Sequence, residues 1–438
     1  MLQKSGFPVQ CHVSLPELYE AVTADGITLK MKRYRPGEDA PFRKDHQPVL
    51  LLPGIMSNMN EFLLHTPDAK KNDYADMELP DDIAGWAIGE PYIVTDPMKY
   101  YSLAHYLWVK GYDVWLGNYR GTGRKEYASD PGHKYTNLDI WACMDTPAFI
   151  EKIKEVTGLN PVIGGHSTGA FVTEVYLQGA YIDIDEYNAA AGEYIPHVKF
   201  DPDLASDRNS KIKGFIGIDP AGLTDVPVLI IMDSVINWKI LHLALWIPFD
   251  RIMETLLGDT RLGSIPYLII KVTMGAAKAL APYDPTGIIP ALYISNPDNN
   301  NKYVMDFFAR YCLSSFPVRA QAQYMNMAIN GVLRESFKNG QENKDRILPP
   351  TPGAENDDVY SYDEHMHTMT VPAFFMLSEL DSLVKTEYVL EHVAYAKTYN
   401  ENDEWYVMPE TGHMDLTASN NAPTFFFPKL GAWLDKIK

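Results

Sequence analysis

Apolar positions along the chain fall into two alternating patterns, short continuous runs and longer stretches with helical spacing. The runs in "PVLLLPG" (residues 48–54) and "YDVWLGNYRG" (112–121) are typical of strands buried on both faces. "SLAHYLWVKG" (102–111) and "DIWACMDTPAFIEKIKEVTG" (139–158) have helical spacing, and each ends at a glycine. This alternation predicts an α/β fold with a mostly parallel sheet and helices on both faces.

The same alternation continues towards both ends of the chain. "AVTADGITLKMKRYRP" (21–36) predicts two strands that meet in a tight turn at Asp25-Gly26. Further strands are predicted in "KIKGFIGIDPAG" (211–222), "VPAFFMLSEL" (371–380) and "EWYVMPE" (404–410), with helices in "TEYVLEHVAYAKTY" (386–399) and "PTFFFPKLGAWLDKIK" (423–438).

Three segments interrupt this pattern. Residues 223–360 carry amphipathic helical runs such as "DSVINWKILHLALW" and "YVMDFFARYCLSSF", which predict a mostly helical cap inserted into a core of residues 1–222 and 361–438. The alternative is an independent helical domain. Residues 65–97 form a long connection of the kind that is functional or disordered. Residues 181–207 are acidic, which predicts a solvated surface excursion. A metal-binding loop is the alternative, but the segment lacks the spacing typical of metal ligands.

Composition narrows the class of protein. The 438 residues carry a formal net charge of −19, which disfavours binding to nucleic acid or to anionic membranes. Cys11, Cys143 and Cys312 show neither a disulfide framework nor zinc-ligand spacing, so we expect buried thiols. The first residues do not resemble a signal peptide, and no apolar stretch is long enough for a transmembrane segment, so we expect a cytoplasmic protein.

A glycine-rich turn marks the candidate nucleophile. "NPVIGGHSTGAFVTEVYL" (160–177) contains G-x-S-x-G at Gly165-His166-Ser167-Thr168-Gly169, between a buried strand and a helix. The flanking glycines let a sharp, strained turn close, and the start of the helix offers N–H groups to an oxyanion. An ordinary strand-to-helix loop is the simpler alternative. The context favours Ser167 as a nucleophile.

A serine nucleophile needs a base and an acid, and in this topology the acid precedes the histidine along the chain. His413 in "MPETGHMDL" follows the last predicted strand and is the candidate base. His365 and His367 precede a strand, and we expect them on the surface, whereas the side chain of His166 should pack against the turn. Asp381 follows the strand in "VPAFFMLSELDSLV" and is the favoured acid. Asp219 in "GIDPAG" is a competitor, and Glu379 and Asp415 are weaker ones.

The oxyanion requires backbone donors. "LLLPGIMSN" places Pro53-Gly54-Ile55 directly after a buried strand, where Gly54 would let the backbone approach a substrate. We therefore expect the amide of Ile55 to act together with that of Thr168.

These segments resemble the acid lipase family of α/β hydrolases, which includes gastric and lysosomal lipases. The resemblance lies in "YDVWLGNYRG", "DTPAFIEKIKEVTG" with "GGHSTG", "LSELDSLV" and "GHMDL". It implies the α/β-hydrolase fold, with Ser167 as nucleophile, Asp381 as acid, His413 as base and the amides of Ile55 and Thr168 as oxyanion donors. Pro53 stands where the family has a histidine, and residues 65–97 and 181–207 have no evident counterpart.

The predicted activity is hydrolysis of small-molecule or lipid esters with an apolar acyl group, through an acyl-enzyme and without a metal or organic cofactor. "ILHLALWIPF" (240–249) and "PYLIIKVTMG" (266–275) suggest an apolar acyl site under the cap. The same residues would serve a serine acyltransferase, and a non-catalytic relative that binds a ligand is a third hypothesis. The sequence does not decide the oligomeric state.

Overall fold

Eight strands form the central sheet. The computed structural model describes residues 16–36, 46–133, 135–191, 194–223, 246–257, 294–336 and 359–437, together with positions 272 and 276. The strands are β1 (Glu17–Val22), β2 (Thr28–Tyr34), β3 (Pro48–Leu52), β4 (Asp113–Gly117), β5 (Val162–His166), β6 (Gly214–Ile218), β7 (Ala373–Ser378) and β8 (Glu404–Met408).

The strands lie in the order β1-β2-β4-β3-β5-β6-β7-β8. β2 pairs antiparallel with both β1 and β4, and every other pairing in this sheet is parallel. The predicted turn joins β1 to β2, with Gly26 at a φ of 81° that favours glycine. The mostly parallel sheet predicted from the sequence is confirmed.

Helices cover both faces of the sheet. The principal ones are α1 (Leu103–Val109), α2 (Thr146–Thr157), α3 (Thr168–Leu177), α4 (Pro202–Ser210) and α5 (Ala422–Lys436). Successive residues of β3 point to opposite faces, so Leu50 and Leu52 pack in the core that includes α2 and α3, and Val49 and Leu51 pack in the core with α1 and α5. Burial on both faces explains why β3 is apolar throughout.

The helix predicted over residues 139–158 is divided. It begins at Leu138–Ile140, widens into a π-helical turn at Trp141–Asp145 and continues as α2 to Gly158, whose φ is 72°. Pro147 lacks an N–H, and in a continuous α-helix its ring would clash with the carbonyl of Cys143. The wider turn removes that conflict.

The described residues of both smaller insertions contain helices. Residues 65–97 contain short helices at Asp68–Lys70, Gly85–Ala87 and Pro91–Thr95. In residues 181–207, Asp183 and Asp201 cap the starts of helices Ile184–Ala189 and α4, and Lys199 pairs with Glu186 at 2.7 Å. Asp183, Glu186 and Asp201 of this excursion therefore have structural roles.

The predicted cap is described only in part, and its boundaries at 223 and 360 stay a prediction. The described portion contains helices Phe249–Leu257, Lys302–Phe307 and Val318–Asn330, a π-helical turn at Phe308–Cys312, and a short strand pair at Trp246–Ile247 and Phe316–Pro317. Tyr74 of the 65–97 insertion donates a 2.7 Å hydrogen bond to Asp306, which joins the two segments. Cys143 and Cys312 are buried thiols, as expected, and Cys11 lies outside the described residues.

Among the helices that the structure describes, none is both long enough and apolar enough to cross a membrane.

Candidate active site

Ser167 lies in a strained turn between β5 and α3. Its φ of 52° and ψ of −119° are unusual for a residue with a side chain. A side-chain carbon on Gly165 would lie 2.2 Å from the backbone of Gly169, and one on Gly169 would lie 2.3 Å from the carbonyl oxygen of Leu52. Only glycine fits at these two positions, so the turn holds Ser167 at the carboxyl end of the sheet, with 9% of its surface exposed.

His413 and Asp381 meet at the same edge of the sheet. Nδ1 of His413 lies 2.7 Å from Oδ2 of Asp381, and both side chains are buried. Oδ1 of Asp381 accepts hydrogen bonds from the backbone N–H groups of Leu383 and Val384 at 2.8 and 2.9 Å, which fix the carboxylate. The ring of His413 lies 4.9 Å, centre to centre, from that of His166, the residue next to Ser167. The structure therefore brings His413 and Asp381 into direct contact, and it places the His413 ring beside the residue next to Ser167.

Asp219, the competing acid, belongs to the same cluster. It is buried. Its Oδ1 lies 2.6 Å from the backbone N of Ser378, and its Oδ2 lies 2.6 Å from Oγ of Ser378. Burial raises the pKa of the Asp219 carboxyl well above its usual value, and the nearby charge of Asp381 raises it further. Two adjacent carboxyls thus differ in environment, and Asp381 is the one that bonds to His413.

Two other histidines and another acid considered from the sequence lie in different surroundings. His365 stacks on Tyr360 at 4.6 Å between ring centres, and His367 is exposed. Glu379 accepts a hydrogen bond from the backbone of Glu410 at 2.8 Å.

The predicted oxyanion loop passes close to the serine. A side-chain carbon on Gly54 would lie 3.3 Å from Cβ of Ser167, so Gly54 lets the Pro53-Gly54-Ile55 backbone approach the nucleophile. Thr168 is the first residue of α3, where N–H groups lack acceptors within the helix. The amides of Ile55 and Thr168 therefore belong to elements that flank Ser167 on two sides.

Glu61 connects the parts of this site. Its Oε2 accepts a 3.2 Å hydrogen bond from the N–H of Gly54, and its Oε1 is in ion-pair contact with Nδ1 of His166. Nε2 of His166 lies 3.1 Å from the carbonyl oxygen of His413. Burial lowers the pKa of His166, but the charge of Glu61 and these contacts outweigh it and raise the pKa overall. One buried pair thus ties the oxyanion loop, the serine turn and the histidine loop together.

A segment of the predicted cap secures the His413 loop (residues 409–414). Asp415 accepts hydrogen bonds from the backbone N–H groups of Asn296 and Gly412, both at 2.8 Å, and from the hydroxyl of Ser295. Asn296 and Asn299 donate to the carbonyl of Glu410 at 2.7 and 2.8 Å. Burial raises the pKa of Asp415 to about 6, although these hydrogen bonds act in the opposite direction.

Sequence reasoning missed Glu61, and it considered Asp415 only as an alternative acid. Glu61 gives a weak signal, a carboxylate in the apolar neighbourhood "MNEFLL" a few residues after Gly54. Asn296 and Asn299 give no signal in the sequence, because their role depends on contacts with a residue more than a hundred positions away.

Potential metal ligands converge at one place within the described residues. Oxygen atoms of Asp219 and Asp381 and a ring nitrogen of His413 lie within 4.8 Å of one another. These side chains already bond to one another or to Ser378, so the arrangement suits proton transfer better than it suits a cation site.

The strand order, the strained serine turn after β5, the acid after β7 and the histidine loop after β8 together define the α/β-hydrolase fold. The fold predicted from the sequence is therefore confirmed.

Comparisons with known proteins find distant similarities. Over 164 residues, 36% of this chain, the sequence is 29% identical to triacylglycerol lipase 2 of Arabidopsis thaliana. The match covers 32% of that protein, so the chain spans about a third of the length of the curated relative it matches. No family model matches the chain. The likeness is too short and too distant to place the chain in one family within the superfamily.

Solved structures that are similar along nearly the whole chain include a lipase and an esterase. A soluble variant of monoglyceride lipase from Saccharomyces cerevisiae is 14% identical, with 99% of this chain and 98% of that chain covered and a TM-score of 0.48. A thermophilic esterase from Thermogutta terrifontis is also 14% identical, with 96% and 99% covered and a TM-score of 0.45. The assignment of the fold rests on the strand order and the serine turn, and not on these scores.

Proposed function

We propose that this protein is a serine hydrolase of carboxylic esters with an apolar acyl group, related to the acid lipases, in which Ser167 is the nucleophile, His413 the base and Asp381 the acid. The observation that carries the proposal is the buried 2.7 Å contact between His413 and Asp381 beside the strained turn of Ser167. A histidine with only a structural role would not need a strained serine turn beside it. A serine turn with no catalytic role would not need a buried acid beside it.

The contact with Asp381 selects the tautomer of His413. A carboxylate only accepts hydrogen bonds, so Nδ1 of His413 carries the proton that it shares with Asp381. Nε2 is then left with its lone pair and can accept a proton. This is the form that a general base for the hydroxyl of Ser167 requires.

The reaction proceeds in two displacements. The hydroxyl oxygen of Ser167 bonds to the ester carbonyl carbon while His413 takes its proton, and the amides of Ile55 and Thr168 hold the oxyanion. The alcohol leaves with the proton from His413, and an acyl-serine remains. Water then attacks this ester, again with His413 as base, and the carboxylic acid and free Ser167 are regenerated.

The preference for an apolar acyl group rests on the sequence and on the partial match to a lipase. Residues 240–245 and the run at 266–275 lie mostly outside the described residues. Trp246 is described, and its ring packs so closely on Gly121 that a side-chain carbon there would lie 2.1 Å from it. One aromatic residue of the predicted cap therefore contacts the loop that follows β4.

Hydrolysis of p-nitrophenyl esters from acetyl to palmitoyl tests the proposal. We expect Ser167→Ala to abolish turnover, whereas Ser210→Ala, an exposed serine on α4, should retain it within about twofold. The optimum chain length should exceed that of acetyl if the acyl site is apolar. Equal turnover by wild type and Ser167→Ala would refute the role of Ser167.

Two further measurements separate the alternatives. A fluorophosphonate should add one mass equivalent to the folded wild type and none to Ser167→Ala, and failure to label the wild type would support a non-catalytic ligand-binding protein. Product analysis with a competing alcohol distinguishes hydrolase from acyltransferase, because a transferase would form the new ester in preference to the free acid.

A further inference from the structure

Asp219 is a buried carboxyl group with no part in the reaction proposed above. It follows β6, which pairs with β7, the strand that precedes Asp381, and its φ of 40° is unusual for a residue with a side chain. The groups whose charge acts on Asp219 are Asp381 and Asp415, and His413 lies close by. A buried acid in such a place requires partners that make its burial tolerable.

The hydrogen bonds around Ser378 indicate the protonation state of Asp219. Oγ of Ser378 lies 2.6 Å from Oδ2 of Asp219 and 3.0 Å from the carbonyl oxygen of Gly412. A hydroxyl group has one proton to donate, and the Gly412 carbonyl can only accept. Both contacts are hydrogen bonds only if Asp219 carries a proton, which it donates to Ser378 while Ser378 donates to Gly412. Oδ1 of Asp219 meanwhile accepts the N–H of Ser378 at 2.6 Å.

This chain of hydrogen bonds ends at the residue before His413. Gly412 is fixed on its other side as well, because its N–H donates to Asp415 at 2.8 Å. Asp219 therefore helps to determine where the His413 loop lies, without bonding to His413 itself. A neutral carboxylic acid suits this position, because a second carboxylate beside Asp381 would be repelled.

We propose that Asp219 is a second acidic residue of the site, a positioning residue that holds the His413 loop through Ser378 and supports His413 when Asp381 is lost. The inference rests on the proposed function. The second part follows from geometry, since an oxygen of Asp219 and a ring nitrogen of His413 lie within 4.8 Å of each other. Removal of the charge of Asp381 would favour ionisation of Asp219, which could then stabilise the imidazolium of His413.

The first test compares Asp219→Asn with Asp219→Ala. An asparagine tolerates the positive φ, accepts from the N–H of Ser378 and donates to its hydroxyl, so Asp219→Asn should keep kcat within about threefold of wild type. Asp219→Ala removes both contacts and should lower kcat at least tenfold. Ser378→Ala should lower it similarly, and adding it to Asp219→Ala should bring little further loss because both act through one chain of hydrogen bonds.

The second test uses the pH dependence of Asp381→Asn. Its residual ester hydrolysis, divided at each pH by that of Asp381→Asn/Asp219→Asn, should rise with pH as Asp219 ionises, and the double variant should be at least tenfold slower at pH 9. Equal pH profiles for the single and double variants would overturn the supporting role of Asp219. A loss in Asp219→Asn as large as that in Asp381→Asn would overturn the neutral positioning role.

A spectroscopic measurement separates failure of this inference from failure of the proposed function. The infrared spectrum of the wild type at pH 7 should contain a carbonyl band of a protonated carboxylic acid that disappears in Asp219→Asn, whereas the band of buried Glu174, whose pKa is raised to about 8, is common to both proteins and cancels in their difference spectrum. Absence of the band would overturn the inference whether or not the protein hydrolyses esters. A normal band together with no ester turnover and no fluorophosphonate labelling would instead count against the proposed function. Thermal denaturation of every variant excludes those that do not fold.

Discussion

The serine turn offers a sharp test of how closely the site depends on backbone packing. Gly169 is the second residue of α3, and a side-chain carbon there would lie 2.3 Å from the carbonyl oxygen of Leu52 and 2.7 Å from that of Pro53. Such carbons essentially never approach other atoms within 3.0 Å. Gly169→Ala must therefore push the start of α3 away from the end of β3, because both contacts are with backbone that has no rotamer to change.

The required displacement determines the expected magnitude. Relief of the closer contact takes a movement of about 0.7 Å, and a misplacement of about 1 Å at a reacting centre costs roughly 100-fold in rate. Overpacking of this kind costs roughly 1–3 kcal/mol of stability. We therefore expect Gly169→Ala to fold, to melt several degrees below wild type and to lose about 100-fold in kcat.

The assay is hydrolysis of the best p-nitrophenyl ester, with the active fraction counted by fluorophosphonate labelling and folding checked by thermal denaturation. Gly85→Ala is the matched control, because a side-chain carbon there would meet nothing within 4 Å. The control should stay within twofold of wild type. If folded Gly169→Ala had the kcat of wild type, the separation between α3 and β3 would not determine the geometry of the oxyanion site, and the reasoning would be refuted.

Three further perturbations test other parts of the structure. Glu61→Gln removes the charge beside buried His166 and should lower kcat by roughly 10-fold or more with a smaller change in KM, as steady-state kinetics would show. Burial raises the pKa of Glu174 to about 8, so the folded state retains a proton that the unfolded state releases, and stability should fall as pH rises from about 4.5 to about 8. Glu174→Gln should reduce the difference in unfolding free energy between pH 5 and pH 9 by more than about 1 kcal/mol in urea titrations, and an unchanged difference would contradict the assignment. Tyr74→Phe removes the buried hydrogen bond to Asp306 and should cost roughly 1–3 kcal/mol in the same titrations, whereas a neutral effect would mean that the 65–97 insertion is held by apolar packing alone.

Local pattern was sufficient for most of the core. Apolar runs such as residues 48–52 form strands that are buried on both faces. Because both faces are buried, every position is apolar, and the run is identified as a strand from the sequence. The turn at Asp25-Gly26 and the end of α2 at Gly158 were predictable because a positive φ demands glycine. The widening at Trp141–Asp145 was not predicted, although the effect of Pro147 on its neighbours is local.

The choice between acids shows where pattern reasoning ends. Asp381 and Asp219 both follow a strand, so both arrive at the same edge of the sheet, and position along the chain favours Asp381 but leaves Asp219 as a competitor. The structure distinguishes them by their partners, because Asp381 bonds to Nδ1 of His413 and Asp219 to Ser378. Differences of a few tenths of an ångström decide which groups form a hydrogen bond, and the spacing of apolar residues along the chain carries no information about such distances.

The sequence by itself determined the alternation of strands and helices, the glycine turn around Ser167 and the position of a histidine after the last strand, because each follows from the conformational limits of a few adjacent residues. Only the tertiary structure decided that Glu61 joins Gly54 to His166, that Asp415 ties the His413 loop to Ser295 and Asn296, and that Asp219 meets Ser378. Most of these partners are far apart along the chain, and buried polar groups take whichever partner the packing of the strands brings within hydrogen-bond distance.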